Sequence, residues 1–172
     1  DHTHHTVVAP KLTLLAAVLT VVVGAMVLVG WAFDIAALKC VLPGWVSMKA
    51  NTAVCFILIG IGLLLTTRSS VPFTPQLSIL FSRLARLCGL LVGLIGVLTL
   101  SEYVFGWDLG IDNWLIREPA GTVGTSYPGR MAPETALCFV MLSVALWIAS
   151  GLRKTRRTIH ILVSIGLLVA TL

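Results

Sequence analysis

The residues able to do chemistry in this chain are few, and most stand beside a phrase that occurs twice. Residues 43–56 read PGWVSMKANTAVCF and residues 128–139 read PGRMAPETALCF. In each copy a polar residue precedes a cysteine by four positions, Asn51 before Cys55 and Glu134 before Cys138. On a helix each such pair shares one face. Pro133 followed by Glu134 suits a first helical turn, where proline needs no amide partner and an acid complements the positive helix end. Met48 and Met131 stand seven residues ahead of the cysteines. Methionine and cysteine are soft ligands that suit Cu(I), but about 10 Å of helix separates them, so one helix cannot bring both to one ion. Small residues at a helix contact are the plainer reading of the Thr-Ala-x-Cys motif.

Upstream of each phrase lies a second match. Trp31-Ala32-Phe33-Asp34 and Phe105-Gly106-Trp107-Asp108 both read aromatic, small, aromatic, aspartate. The aromatics fit an interfacial belt, or the wall of a cavity opening outward with Asp34 and Asp108 at its rim. The two aspartates can cap helices, pair with Lys49 or Arg130, or hold a cation. Glu102, beside Tyr103, is ionisable near membrane depth and so a functional candidate; the plainer reading has its carboxylate reaching up to the interface. His2, His4 and His5 cluster at the start of the sequence given, as in a disordered terminus or a weak metal site. His160, alone in its apolar run, cannot supply paired axial haem ligands. There is no phosphate loop, Ser-His-Asp set or HExxH, so no catalytic residue is assigned and no enzymatic chemistry is expected. The chemistry on offer is recognition. The candidate ligand-binding set is Trp31, Asp34, Asn51, Phe105, Trp107, Asp108, Arg130 and Glu134, with no metal and with the cofactor left open.

These residues are positioned by membrane helices. Of 172 residues, 58% are hydrophobic and 11% charged, against roughly 45–50% and 25% in soluble domains. Apolar runs cover Leu12–Trp31, Thr52–Thr67, Leu84–Val104, Thr135–Ser150 and Thr158–Leu172. The second and fourth are short and can extend toward their methionines. The fifth, 15 residues long, spans about 22 Å, short of a hydrocarbon core of about 30 Å; a longer polypeptide is expected. Arg68 and Arg83 fall between the second and third runs with Arg86 just inside the third, and Arg153, Lys154, Arg156 and Arg157 fall between the fourth and fifth. The positive-inside rule puts those connections and the N-terminus in the cytoplasm and the Pro-Gly loops outside. The basic residues carry no interleaved aromatics, which argues against nucleic acid. Cys55, Cys88 and Cys138 lie in apolar runs, so the four cysteines do not form a disulfide framework.

The repeating unit is helix, aromatic-Asp turn, loop, Pro-Gly, helix. Asp34 precedes Pro43 by 9 residues and Asp108 precedes Pro128 by 20, so the second copy carries an insertion of 11 within GIDNWLIREPAGTVGTS. Its Gly, Pro, Ser and Thr mark irregular structure. The expected fold is all-α: a polytopic bundle of about five transmembrane helices forming one membrane domain. Parallel two-helix repeats cover 12–67 and 84–150, and a third begins at 158–172.

LPGWVSMKANTAVCFILIGIGLLL, LSEYVFGWDLGIDNWL and PGRMAPETALCFVMLSVALWI resemble the N-terminal membrane region of bacterial sensor proteins. In that family a multi-helix region precedes PAS, histidine-kinase or diguanylate-cyclase modules, and a third helix pair commonly follows. The resemblance covers about 12–172 and is most specific at 105–112 and 128–131. It implies a sensory input domain of a bacterial inner-membrane signalling protein, without implying a ligand. The alternative is an accessory subunit of a larger membrane complex that contacts pigment, quinone or lipid. Gly89, Gly93 and Gly96, near one helix face, would then pack on a partner. Expected partners are the lipid bilayer and a second copy or a larger complex.

Overall fold

The structure, a computed structural model, describes residues 4–40, 46–68, 74–116 and 127–151, with the helix path alone for 4–10. The fifth apolar run and the His2 cluster's first residue lie outside the described residues. The elements in chain order are α1 (His4–Ala32), α2 (Ala36–Lys39), α3 (Ala50–Arg68), α4 (Pro75–Phe105), a 3-10 turn (Ile111–Asn113) and α5 (Pro133–Gly151). The described residues are all-α. Four helices are long and apolar enough to cross a membrane, and the chain is a multi-pass membrane protein.

The helices exceed their apolar runs at the ends. α3 and α5 each begin two residues before their runs, and α5 opens on Pro133 with Glu134 in its first turn, as the sequence predicts. α4 departs most. It begins at Pro75 and has 31 residues, about 46 Å of helix. Arg83, expected in the connection, therefore lies within α4 together with Arg86. Basic residues end an apolar run without ending a helix, because arginine is a good helix former and a helix that outruns the hydrocarbon can carry charge at the interface. Arg86 Nη2 donates to the Ser150 carbonyl at 3.2 Å, tying this end of α4 to the end of α5.

α1 packs on α3 and α4 on α5; the two hairpins meet through α3 and α4, with α3 and α5 also in contact. Each hairpin closes over a glycine. A Cβ on Gly24 would lie 2.6 Å from the Ala53 carbonyl, and one on Gly96 would lie 2.9 Å from the Ala136 carbonyl. Ala53 and Ala136, equivalent in the repeated phrase, are both fully buried. Between the hairpins the equivalent Phe56 and Phe139 meet edge to face, ring centres 5.5 Å apart. The small core gathers Cys55, Ile59, Val92, Met131, Ala136, Phe139 and Leu146. Most large apolar side chains point outward, among them Leu15 and Leu19 on α1, Leu90 and Leu94 on α4 and Val144 and Trp147 on α5. Exposed to water they would forfeit about 25 cal/mol for each Å²; facing lipid, they forfeit nothing.

Gly89, Gly93 and Gly96 do not face a partner. Their nearest neighbours are Ser143, Leu146, Ala136 and Val140 of α5. The close approach that these glycines permit is spent inside the chain.

Candidate functional site

At the Pro-Gly end the two repeats are stitched by matching contacts. Trp31 Nε1 donates to the Met48 carbonyl at 2.8 Å, and the Tyr103 hydroxyl donates to the Met131 carbonyl at 3.0 Å. Met48 and Met131 are equivalent in the repeated phrase. In each copy an aromatic donor at the end of one helix fixes the carbonyl just ahead of the next. The aspartate turns are built differently. α1 ends with the Ile35 N–H on the Gly30 carbonyl at 2.8 Å and Asp34 at φ 54, the six-to-one bond and left-handed residue of a Schellman ending. α4 ends instead on Gly106, at φ 67.

Asp34 is exposed and pairs with Lys39 at 2.5 Å, not with Lys49. Lys39's hydrogen bond and charge hold the Asp34 carboxyl below its ordinary range. The same ammonium lies 4.7 Å from the centre of the Trp31 ring. Asp108 accepts from the Gly110 N–H at 2.9 Å, an Asx turn, and its Oδ1 lies 3.7 Å from Arg130 Nη2. The two aspartates thus have separate partners and do not share a rim.

The centre of this end is Arg130, 6% exposed. Its Nε donates to Asp112 Oδ2 at 2.7 Å and lies 3.2 Å from Glu102 Oε2. Its guanidinium carbon sits 4.5 Å from the centre of the Tyr127 ring and 5.5 Å from that of Tyr103. Burial works against the guanidinium's charge. The Asp112 bond and the fields of Asp112, Glu102 and Asp108 outweigh it and hold Arg130 above its ordinary value. Oxygens of Glu102, Asp108 and Asp112 lie within 4.8 Å of one another, close enough to share a cation. Arg130 is a cation already among them, which accounts for three carboxylates at one place.

Asp112 also joins the repeats. Its Oδ1 accepts from Asn51 Nδ2 at 3.3 Å, while Asn51 Oδ1 accepts from the Thr52 N–H at 2.8 Å. A carboxylate from the loop of the second repeat thereby bridges the start of α3 and the arginine ahead of α5. Gly129 makes room for that loop. It stands at φ 80, and a Cβ there would lie 2.7 Å from the Asp112 carbonyl.

Of the eight residues singled out from sequence, Asn51, Asp108 and Arg130 come together. Trp31 serves the first hairpin and Asp34 its turn. Phe105 and Trp107 pack on each other, ring centres 5.0 Å apart, and remain exposed. Glu134 is exposed in the first turn of α5. Glu102 is 1% exposed, and its Oε1 accepts from the Leu109 N–H of the following loop at 2.8 Å. Its inward aim had a signal in the sequence. The glycine face of α4 continues at helical spacing from Gly89 through Gly96 and Thr99 to Glu102, all buried. Asp112 was missed because it stands in the stretch without a counterpart in the first repeat.

Beside Arg130 opens a cavity of about 390 Å³, within the roughly 300–1,000 Å³ usual for small-molecule sites. Ser47, Lys49 and Thr52 line it from the first repeat; Arg130, Met131 and Thr135 line it from the second, with Tyr103 and Tyr127 between. Its described wall combines the basic side chains of Lys49 and Arg130 with hydroxyls of serine, threonine and tyrosine. Comparison of the chain with protein-family models, with curated proteins and with solved structures found no match.

Proposed function

We propose that this chain is the membrane-embedded input domain of a bacterial signalling protein. In this reading the N-terminus lies in the cytoplasm, the Pro-Gly end faces outward, and a small molecule in the cavity is the signal. The observation that carries it is the composition of the wall: both copies of the repeated entrance line one cavity, and Asp112 links the same two entrances through Asn51 and Arg130. A molecule held there prefers one spacing of α3 and α5 over another. Such a preference is what a ligand needs to shift a conformational equilibrium. Helix movements of about 1–2 Å are typical of such switches, and the opposite ends of α3 and α5 would carry them to a cytoplasmic output module.

The accessory-subunit reading loses its main support, because the glycines that would bind a partner helix face α5. The test uses Arg68→Cys and Gly151→Cys, at the far ends of α3 and α5, spin-labelled in nanodiscs with the native cysteines replaced by alanine. Thr135→Trp or Thr52→Trp then fills the cavity. A displaced or narrowed distance distribution with either tryptophan is expected. Unchanged distributions with both, in folded protein, would count against the proposal.

A further inference from the structure

The carboxylates around Arg130 carry more negative charge than the arginine can meet. The side chains of Glu102 and Asp112 are 0% and 3% exposed, and both pair with the same Nε. That nitrogen bears one hydrogen, and it is spent on Asp112 Oδ2 at 2.7 Å. Asp112 Oδ1 accepts from Asn51 Nδ2, and Glu102 Oε1 accepts from the Leu109 N–H. Of these four oxygens, Glu102 Oε2 alone has no hydrogen-bond donor among the described residues, although it is fully buried and lies 3.2 Å from Arg130 Nε. Thr99, one turn earlier on the same face of α4, does not serve it, since its own buried hydroxyl has no partner either. The other ionisable groups at this end do not fill the gap. Asp108, with its side chain 77% exposed, adds a third negative charge 3.7 Å from Arg130 Nη2. Tyr103 donates its hydroxyl to the Met131 carbonyl, Tyr127 lies against the guanidinium, and Glu134 is exposed. Lys49, ahead of α3, is the other buried cation here and lines the cavity. Among the described residues, the ion pairs of Glu102 and Asp112 are with Arg130.

Two buried carboxylates against one guanidinium leave a negative charge over, and a buried charge without a partner is costly. Paired carboxylates resolve this by keeping one proton between them. We propose that Glu102 and Asp112 form a proton-binding site: one proton, carried on Glu102 Oε2, is held at neutral pH and donated to Asp112. A protonated carboxyl is a donor, so the orphaned oxygen gains a partner and the buried group of three becomes neutral. The geometry suits it, since carboxylate oxygens of the two residues lie within 4.8 Å of each other and both residues converge on one Nε. A metal ion suits it less, because Arg130 Nε already stands against both carboxylates. The site lies where the repeats join, because Asp112 also holds Asn51 at the start of α3. Releasing the proton to water leaves two carboxylates competing for one N–H and loosens that joint, so a rise in pH acts on the entrances of α3 and α5. This site goes beyond the reading of the cavity as the signal site and does not rest on it.

The test is infrared spectroscopy of the whole chain in nanodiscs, read at the protonated-carboxyl band. At about pH 7 ordinary aspartates and glutamates are ionised, so the band reports a carboxyl that keeps its proton. The band is expected in the parent and in Asp108→Asn, and its loss is expected in both Glu102→Gln and Asp112→Asn. Glutamine reproduces the shape and the donor of the protonated acid, so Glu102→Gln keeps the fold. Asp112→Asn removes the like charge and lets Glu102 ionise beside Arg130. Melting temperature against pH is the second readout. The folded pair binds a proton that the unfolded carboxyls have released at neutral pH, so the parent loses stability as rising pH removes it; Glu102→Gln should lose that dependence. A parent without the band at neutral pH, or a band that survives Glu102→Gln, overturns the proposal. So does a band that appears only after a chelator has stripped metal ions, which would assign the carboxylates to a metal cation.

Discussion

Removing Arg130 should unfold the Pro-Gly end, and removing one of its carboxylates should not. Arg130→Leu strips the positive charge from a place where Glu102 is 1% and Asp112 5% exposed. Breaking a buried pair by removing one partner costs about 3–5 kcal/mol, because the other charge stays buried and uncompensated. Here two carboxylates are left so. Asp112→Asn is milder. Glu102 Oε2 still lies 3.2 Å from Arg130 Nε, and the amide retains the shape of the lost group, so the loss is that of hydrogen bonds to charged groups, about 1.5–3 kcal/mol. In a chain of this size 1 kcal/mol moves the melting temperature by about 2–4 °C. The expected falls are roughly 6–20 °C for Arg130→Leu and roughly 3–12 °C for Asp112→Asn. A thiol-reactive fluorophore can follow unfolding through Cys55, fully buried in the folded chain, with Cys40, Cys88 and Cys138 replaced by alanine. The reasoning fails if Arg130→Leu melts within 2 °C of the parent, or if Asp112→Asn costs as much as Arg130→Leu.

Gly96→Ala should lower the melting temperature by the equivalent of about 1–3 kcal/mol, because its Cβ would stand 2.9 Å from both the Ala136 carbonyl and Val140 Cγ2. A double-mutant cycle of Phe56→Leu and Phe139→Leu should give a coupling of about 0.5–1.5 kcal/mol; additivity would show that their edge-to-face contact contributes nothing. Asp34 has a depressed carboxyl, held down by Lys39. Its stabilisation is therefore present above its ordinary value of 3.8 and is lost as pH falls through the lower folded value. Melting curves of the parent and Asp34→Asn should differ slightly at pH 6 and converge once the pH falls below the lowered value of the Asp34 carboxyl; a difference that grows on acidification would contradict the pairing.

The sequence carried the helices because each spanning segment needs about 20 apolar residues, and the four described spans stand where those runs lie. Their ends were less legible. Arg83 bounds the apolar run of the third span but not its helix, since an interfacial arginine satisfies both water and the helical backbone. The repeated phrase located half of the site: Asn51 and Arg130 were visible because they occupy the entrances of α3 and α5. Asp112 was not, because a loop carboxylate turns inward only when something buried requires its charge, and that partner lies 18 residues away in sequence. Lys49 and the two tyrosines share this property. Their role depends on which side of Arg130 remains open, which is settled by packing between hairpins and not by spacing along one helix.

In the proposed function, occupancy of the cavity between the two entrances is read out in the cytoplasm. If the chain is the input domain proposed above, the most direct test is the signalling output of the protein in its own membrane with Thr135→Trp, at a residue that lines the cavity and is not one of Arg130's carboxylate partners. The expected result is output locked at one level, insensitive to external conditions, at unchanged membrane abundance. Output that keeps its level and its response in that variant would contradict it.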